Sequence, residues 1–503
     1  MFGSQSSSSL FRTSSSLSRT SSFLFRTESS TPVFGKPLST PAFFTPWTRA
    51  FRFGSILSFQ TQQQQQRTLS LRPAGAYALR RPFSTHQEPT LFRCSSQMAP
   101  VAPLPFVLPG GDIQSTKETI SNVNDVSLEI TKQLLTTEGK GKNMVFSPLS
   151  IQVVLWLLTA GSKGPTREQL LAFLRSKSTD QLNSLASHLV PLIFTDGSTK
   201  GGPCLSFANG LWVKDTIPII PSFKEVVDTA YKAAIKHVSF VNPEEVRREV
   251  NLWAEKATKG LITEALSPGS IDHTTTLILS NALYFKGLWS RKFDASRTIT
   301  DNFHLLNGTS VMAPFMRSSG EHFVRAFDGF KVLKLPYSQG EDKERQFSMY
   351  LLLPDEKYGL PALVERVCSE PGFLDRHHPR RRAPVGEFKI PRFKITSGFT
   401  ASEILMDLGL VLPFNGDGDL TEMLESGVVG KAKMIHKSFI EVDEDGTKAA
   451  AASVYYTLMC SAGPVERIEE IDFVADHPFL LLIREETTGT VMFIGHVLNP
   501  LEE

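Results

Sequence analysis

One stretch constrains this chain more than any other: residues 276–289, TLILSNALYFKGLW, where Lys286 is the single charged side chain. A strand without polar alternation has to be covered on both faces, so it predicts a strand inside a large, layered sheet. Further strands fit around it. Residues 331–337 and 347–354, separated by a charged turn at 340–345, predict a hairpin, and 478–483 with 491–494 predict another. Residues 386–395 alternate around Phe388, Ile390 and Phe393, while 439–442 end a strand that runs into Asp443-Glu444-Asp445-Gly446.

Helical signals precede these strands. Val126, Ile130, Leu134 and Leu135 recur at helical spacing and predict an amphipathic helix over 124–137. Ser147-Pro148 opens a run, 149–158, that is apolar on almost every side, so this helix is buried all round; Gly161 ends it. A third helix, 246–258, puts Val246, Val250 and Trp253 on one face. No repeat of 20–50 residues is visible. Residues 120–503 therefore read as one α+β domain, long enough to close its core without staples.

The first hundred residues are of another kind. They carry 11 basic residues against Glu28 and Glu88; subtracting these from the totals of 53 and 51 leaves 42 basic and 49 acidic residues for the remainder. Ser, Thr, Phe and Arg dominate, a glutamine run spans 62–66, and no apolar periodicity persists. An Arg- and Ser-rich, acid-poor leader has the composition of an organellar transit peptide, and LRRPFST at 79–85 is similar to a mitochondrial cleavage region. A plain disordered tail, or upstream sequence wrongly joined, fits equally. A secretory signal peptide does not, because no apolar h-region follows Met1. Residues 101–119, rich in Pro and Gly up to 111, read as a linker.

Chemistry is sparse. Four cysteines, Cys94, Cys204, Cys368 and Cys460, form no C-x-x-C pair, which disfavours a disulfide scaffold and a thiolate zinc site. No apolar run reaches the ~18–20 residues of a bilayer span, and the net charge of +2 gives no reason to expect nucleic acid as partner. The stretch 160–164, AGSKG, lacks the strand that a nucleophile elbow needs before it and reads as a helix cap. Residues 427–431 lack phosphate-loop spacing, and neither 417–419 nor 443–446 completes a calcium ladder. His377-His378-Pro379-Arg380-Arg381-Arg382 reads as a solvated basic loop or a patch for a polyanion. His436 and His477 lack a Ser or Cys partner and are expected to be structural. No catalytic residue, metal or cofactor is expected.

The segment 444–472 is the odd one. Glu444-Asp445-Gly446-Thr447-Lys448 leads into Ala449, Ala450, Ala451, Ala452 and Ser453, then 454–464 (VYYTLMCSAGP) and an acidic stretch. It is too long for a hairpin loop of 2–5 residues. Small side chains suit a backbone that must enter a crowded place, and Gly446 supplies a hinge. An Ala-rich helix is the alternative that propensity offers.

Together with NMVFSP (143–148), ANGLW (208–212), SNALYFKGLW (280–289), PRFK (391–394), HKSF (436–439) and FVADHPF (473–479), the hinge EDGTKAAAAS resembles the serpin family, and more narrowly its plant branch. The resemblance covers 120–500. It implies the serpin fold: three β-sheets, eight to nine helices and an exposed reactive-centre loop. It also implies a protease inhibitor acting as a suicide substrate. A serine or papain-like cysteine endopeptidase cleaves the loop, the freed half inserts into the large sheet, and the covalently held protease is trapped. The 15 residues from Gly446 to Cys460 span roughly 50 Å when extended.

By the same resemblance Thr447, Ala449, Ala451, Ser453, Tyr455 and Thr457 face inward on insertion, and Lys448, Ala450, Ala452 and Val454 outward. Tyr455 is bulky and slows the later half. Family spacing puts the scissile bond at Cys460–Ser461, with Leu458 and Met459 in neighbouring subsites. The small, soft Cys460 suits an elastase-like serine protease or a papain-like cysteine protease, whereas trypsin-like enzymes want a basic residue. Oxidation of Cys460 would block recognition. The alternative function is a non-inhibitory serpin-fold binding or chaperone protein, which would gain no heat resistance on loop cleavage. A monomer is expected, in the cytosol or the extracellular space by resemblance and in an organelle by the leader. Asn307-Gly308-Thr309 is a glycosylation sequon that matters only on the secretory route.

Overall fold

The computed structural model describes residues 106–425, 430–446 and 469–503; the expected leader lies outside them. In chain order the strands are β1 (Met144–Phe146), β2 (Cys204–Lys214), β3 (Ala234–Val238), β4 (Thr275–Lys286), β5 (Ile299–His304), β6 (Ser310–Arg317), β7 (Gly320–Phe327) and β8 (Phe330–Pro336). There follow β9 (Phe347–Pro354), β10 (Ala383–Val385), β11 (Phe388–Pro391), β12 (Phe393–Thr400), β13 (Lys431–Val442), β14 (Phe473–Val474), β15 (Phe479–Glu485) and β16 (Thr490–Val497). They form three sheets, ordered β1-β16-β15-β9-β8-β7-β10, β14-β11-β6-β5 and β12-β13-β4-β2-β3. Nine α-helices accompany them among the described residues. The expected α+β class, three sheets and helix number all hold.

β4 is the middle strand of the five-stranded sheet, and the run, uncharged up to Lys286, explains why. Leu277, Leu279, Leu283 and Phe285 point into the main core, while Ile278 and Ala282 point into a second, smaller core on the opposite face. The helix Pro243–Ala257 covers that second face with Val246, Val250 and Ala254. Trp253, half-buried, sets its ring edge-on to Trp212 at 4.9 Å between centroids. The other face of the sheet meets the helix Pro148–Ala160, buried along nearly its whole length as its all-round apolarity demands. Ser147 caps this helix, its hydroxyl accepting from the Ser150 N–H.

Two expectations change. The helix predicted at 124–137 is Ile113–Thr136, which begins inside the stretch read as linker. The Asp112 carboxylate accepts from Ser115 N at 2.7 Å, and Ile120 and Val123 extend the buried stripe backwards. The strand predicted at 386–395 is two strands in different sheets: β11 pairs with β6, β12 with β13. Pro391 has no N–H to give a ladder, and after Arg392 N–H makes a last bond to Pro314 O of β6 the chain passes to β13 from Phe393 onward. Both predicted hairpins form, as β8–β9 and β15–β16.

Candidate functional site

β13 and β4 lie side by side in parallel, an arrangement that leaves a seam through the middle of the five-stranded sheet. At its centre His436 stands opposite Asn281. Both are buried and face the helix Pro148–Ala160. The Ser147 N–H donates to His436 Nε2 at 3.1 Å, so the ring proton sits on Nδ1 and is donated to Asn281 Oδ1 at 2.9 Å. Ser150 Oγ donates to the same Oδ1 at 2.7 Å, and Asn281 Nδ2 donates to Asn209 Oδ1 on β2 at 2.7 Å. One polar chain thus ties β13, β4, β2 and the helix start together. Burial pushes His436 down to about 3, so it is neutral. Among the described residues, Ser147 and Ser150 beside it are spent on capping and on Asn281.

The hinge sits above the seam. After Val442 the chain turns at Asp443–Gly446, closed by Asp443 N donating to Gly446 O at 2.9 Å. Trp289 holds this turn twice, with Nε1 donating to Asp443 O at 2.9 Å and its backbone N–H to Asp445 O at 3.0 Å. Trp289 is itself stacked on Tyr337 at 4.6 Å. Phe293 N donates to Glu444 O, Thr298 Oγ1 to Glu444 Oε1 at 2.6 Å, and Lys292 Nζ to Asp445 Oδ1 at 2.9 Å. Arg392 Nε lies 3.6 Å from Glu444 Oε2. These carboxylates are engaged with the protein's own donors. Burial raises the Asp443 carboxyl above its ordinary range.

Gly446 forms an antiparallel bridge to Leu288, just past the end of β4, at φ +124°. A Cβ there would meet the backbone of Gly287 and Trp289, so the position requires glycine on both conformational and steric grounds. Of the predicted loop residues, Glu444 and Gly446 therefore lie in this turn. Thr447 to Ser453, Tyr455, Leu458, Met459, Cys460 and Ser461 lie outside the described residues. His477 is placed elsewhere, between the Asp476 carboxylate at 2.7 Å and Pro354 O at 2.8 Å. Arg380, Arg381 and Arg382 are exposed.

Sequence reasoning quoted Asn281 and Trp289 within motifs without assigning them roles, and read Ser147 only as part of a helix start. Their partnerships join residues far apart in the chain, so only the topology reveals them.

A family model described as serpin (serine protease inhibitor) matches residues 121–500. The Arabidopsis thaliana protein Serpin-ZX is 52% identical over 390 residues, 76% of this chain and 99% of its own length. Rice Serpin-ZXA is 51% identical over 369 residues, 72% of this chain and 91% of its own. Among solved structures, Arabidopsis AtSerpin1 in its native stressed conformation matches with a TM-score of 0.72 at 51% identity, covering 77% of this chain and 99% of that one.

Proposed function

The chain belongs to the serpin family of serine protease inhibitors, and on that premise we propose that it traps an endopeptidase through a reactive loop cut at Cys460–Ser461. The observation that carries this reading is the parallel seam with the hinge poised over it. The chain leaves β13 at Val442 and turns back at Asp443–Gly446. A strand returning from that turn runs antiparallel to β13. Because β4 is parallel to β13, the same strand is antiparallel to β4 as well. The Gly446–Leu288 bridge has the sense of a first rung on β4.

Insertion exchanges one parallel ladder for two antiparallel ones, the better pairing per residue. It must break the His436–Asn281 bond and part β4 from β13, which fits a native state held back from its lowest free energy. The similar Arabidopsis structure is described as a stressed conformation. Thr447, Ala449, Ala451 and Ser453 are small enough to pass on the inward side; Tyr455 is the bulky step. The protease, held on the Cys460 carbonyl as an ester by its serine or a thioester by its cysteine, is carried along the sheet before that bond hydrolyses.

With Cys460 before the bond and Leu458 and Met459 beside it, the target is an elastase-like serine protease or a papain-like cysteine protease. The test is to incubate the chain with elastase, papain and trypsin, look for a complex stable to denaturing gels, and map the cut by mass spectrometry. A stable complex with elastase or papain, cut after Cys460, supports the assignment. A stable complex with trypsin alone would overturn the bond and the protease class. Clean cleavage of the loop by every enzyme, without a complex, would overturn trapping itself.

A further inference from the structure

Cys204, the first residue of β2, lies at the top of the five-stranded sheet, paired across to Lys286 at the end of β4. Lys259 follows the helix Pro243–Ala257 and has φ +55°, a conformation that aims it back at the sheet. Its Nζ is 3.4 Å from Cys204 Sγ and 3.4 Å from Asp196 Oδ2, and Sγ is 4.0 Å from the same carboxylate oxygen. Cys204 is half-exposed, so small oxidants reach it. Ser206 Oγ donates to Ala257 O two residues along, which holds the helix end against β2. The Lys259 amine at 3.4 Å is the nitrogen that a sulfenic acid formed on Cys204 would meet first. The other described cysteine, Cys368, has its thiol pushed up to about 12 by burial.

We propose that Cys204 and Lys259 are a peroxide-responsive modification site that closes into a sulfur–nitrogen cross-link between β2 and the end of the helix Pro243–Ala257. In the first step the Cys204 sulfur attacks one oxygen of hydrogen peroxide and the O–O bond breaks. Cys204 is oxidised by two electrons to the sulfenic acid, and peroxide is reduced to water. The Lys259 amine is held above its ordinary range first by its hydrogen bond to Cys204, then by the charges of Cys204 and Asp196. Oxidation of the sulfur removes the leading cause, and the ammonium, at an exposed site, releases a proton to solvent. Lys259 Nζ then attacks Sγ; the S–N bond forms, the S–O bond breaks, the nitrogen gives up its second proton, and the departing hydroxide takes up a proton from solvent and leaves as water. The sum is one thiol, one amine and one peroxide giving a sulfenamide and two waters, a known fate of sulfenic acids that meet a nitrogen.

The consequence rests on the insertion reading above. The segment that returns from Lys259 to β4 is also fastened to β13, where Lys433 Nζ donates to Ser270 O at 2.6 Å. It therefore straddles the seam. A covalent tie at its start holds it there when β4 and β13 part, and the oxidised protein inserts more slowly.

Peroxide-treated full-length protein, digested without reductant, is expected to yield a linked Cys204–Lys259 peptide about 2 Da lighter than its two parts, and dithiothreitol to remove it. In Lys259→Arg the link is absent and dimedone captures the Cys204 sulfenic acid instead. Capture of Cys204 by dimedone in the wild type, over-oxidation without a link, or a disulfide at Cys204 would each overturn the site. For the consequence, oxidised wild type is compared with oxidised Lys259→Arg, in which Cys460 experiences the same oxidant. About a twofold higher stoichiometry of inhibition is expected for the linked protein, since a slower conformational step favours hydrolysis; equal values would overturn the consequence. A link in a protein that fails to inhibit even when reduced would overturn the trapping reading and leave the modification site standing.

Discussion

The seven-stranded and five-stranded sheets are built to different standards. In the first, every neighbouring pair is antiparallel, and β15 and β16 are packed into the core along their length. In the second, two parallel strands meet at the centre, and the residues facing each other there are His436 and Asn281, where aliphatic side chains would serve packing better. Among the described residues, Asn209 Nδ2, Trp212 Nε1, Thr276 Oγ1 and Ser280 Oγ on β2 and β4 are buried without a protein hydrogen-bond partner, against Ser348 Oγ on β9 and Thr490 Oγ1 on β16 in the seven-stranded sheet. Groups left unpaired in a core cost stability. The contrast teaches that the five-stranded sheet is held closed by a small number of breakable polar contacts, while the seven-stranded sheet serves as the fixed body against which it can open.

The largest effect should come from completing the weaker sheet. Loop cleavage, followed by insertion of about 15 residues at roughly 1 kcal/mol net per residue, should raise Tm by roughly 20 °C, given an unfolding entropy near 0.8 kcal/mol/K for about 380 residues. Calorimetry of the intact and nicked protein reads this directly, and an unchanged Tm would mean that the seam does not open. Nearly as large is the loss expected from Ala449→Arg, which puts a charge on the inward side of the inserting strand. The loop should still be cut at the same bond, but the gain in Tm and the gel-stable complex should both disappear.

How much of this contrast could be read from the chain depends on distance along it. β4 was legible because a strand with no charge before its last residue must be central, and the helix Pro148–Ala160 because Ser147-Pro148 is a strong helix start. The sheet change at Pro391 was visible but missed: Phe388 and Ile390 are buried on even positions, Phe393 and Ile395 on odd ones. A one-residue slip in alternation reverses the face, so it marks a break rather than a longer strand. The hinge was half legible. Gly446 and the small side chains after it are plain in the sequence, but the grip of Trp289 on Asp443 and Asp445 joins residues 154 apart in the case of the first bond. His436 and Asn281 are likewise 155 apart, and no local pattern says which strands are neighbours.

Cutting the polar tie itself should have a middling effect. Asn281→Ala leaves the His436 ring N–H and the Ser150 hydroxyl without their acceptor and should cost about 2–4 kcal/mol, or roughly 3–5 °C in Tm, in the intact protein. A comparable truncation in β15 of the other sheet, Leu481→Ala, should cost a similar amount before and after loop cleavage. The Asn281→Ala cost should shrink after cleavage, because insertion has already separated the two partners. Equal costs in both forms would mean that the tie is ordinary packing and not a latch.

The smallest effect is a pH dependence, and it separates the two sheets by a histidine in each. His436 on β13 is pushed down to about 3 by burial; His322 on β7 is pushed down to about 4, by burial first and then by Arg291 and Arg382. In the unfolded chain each titrates near 6.5. Below that pH the unfolded state takes up a proton that the native state refuses, so native stability falls as pH drops from about 6.5 toward 4 or 3, by about 1 kcal/mol per pH unit for each ring. His436 has a further reason to be sensitive. Its Nε2 accepts the Ser147 N–H, and a proton there abolishes the bond that fixes the ring against Asn281. His436→Gln should therefore be less stable than wild type at pH 7.5, and the gap between their Tm values should narrow by pH 5. His322→Gln should narrow its own gap in the same window without altering the rate of spontaneous loop insertion, which acid should raise in wild type and in His322→Gln but not in His436→Gln. If acid raised that rate equally in all three proteins, the latch would lie somewhere other than at the seam histidine.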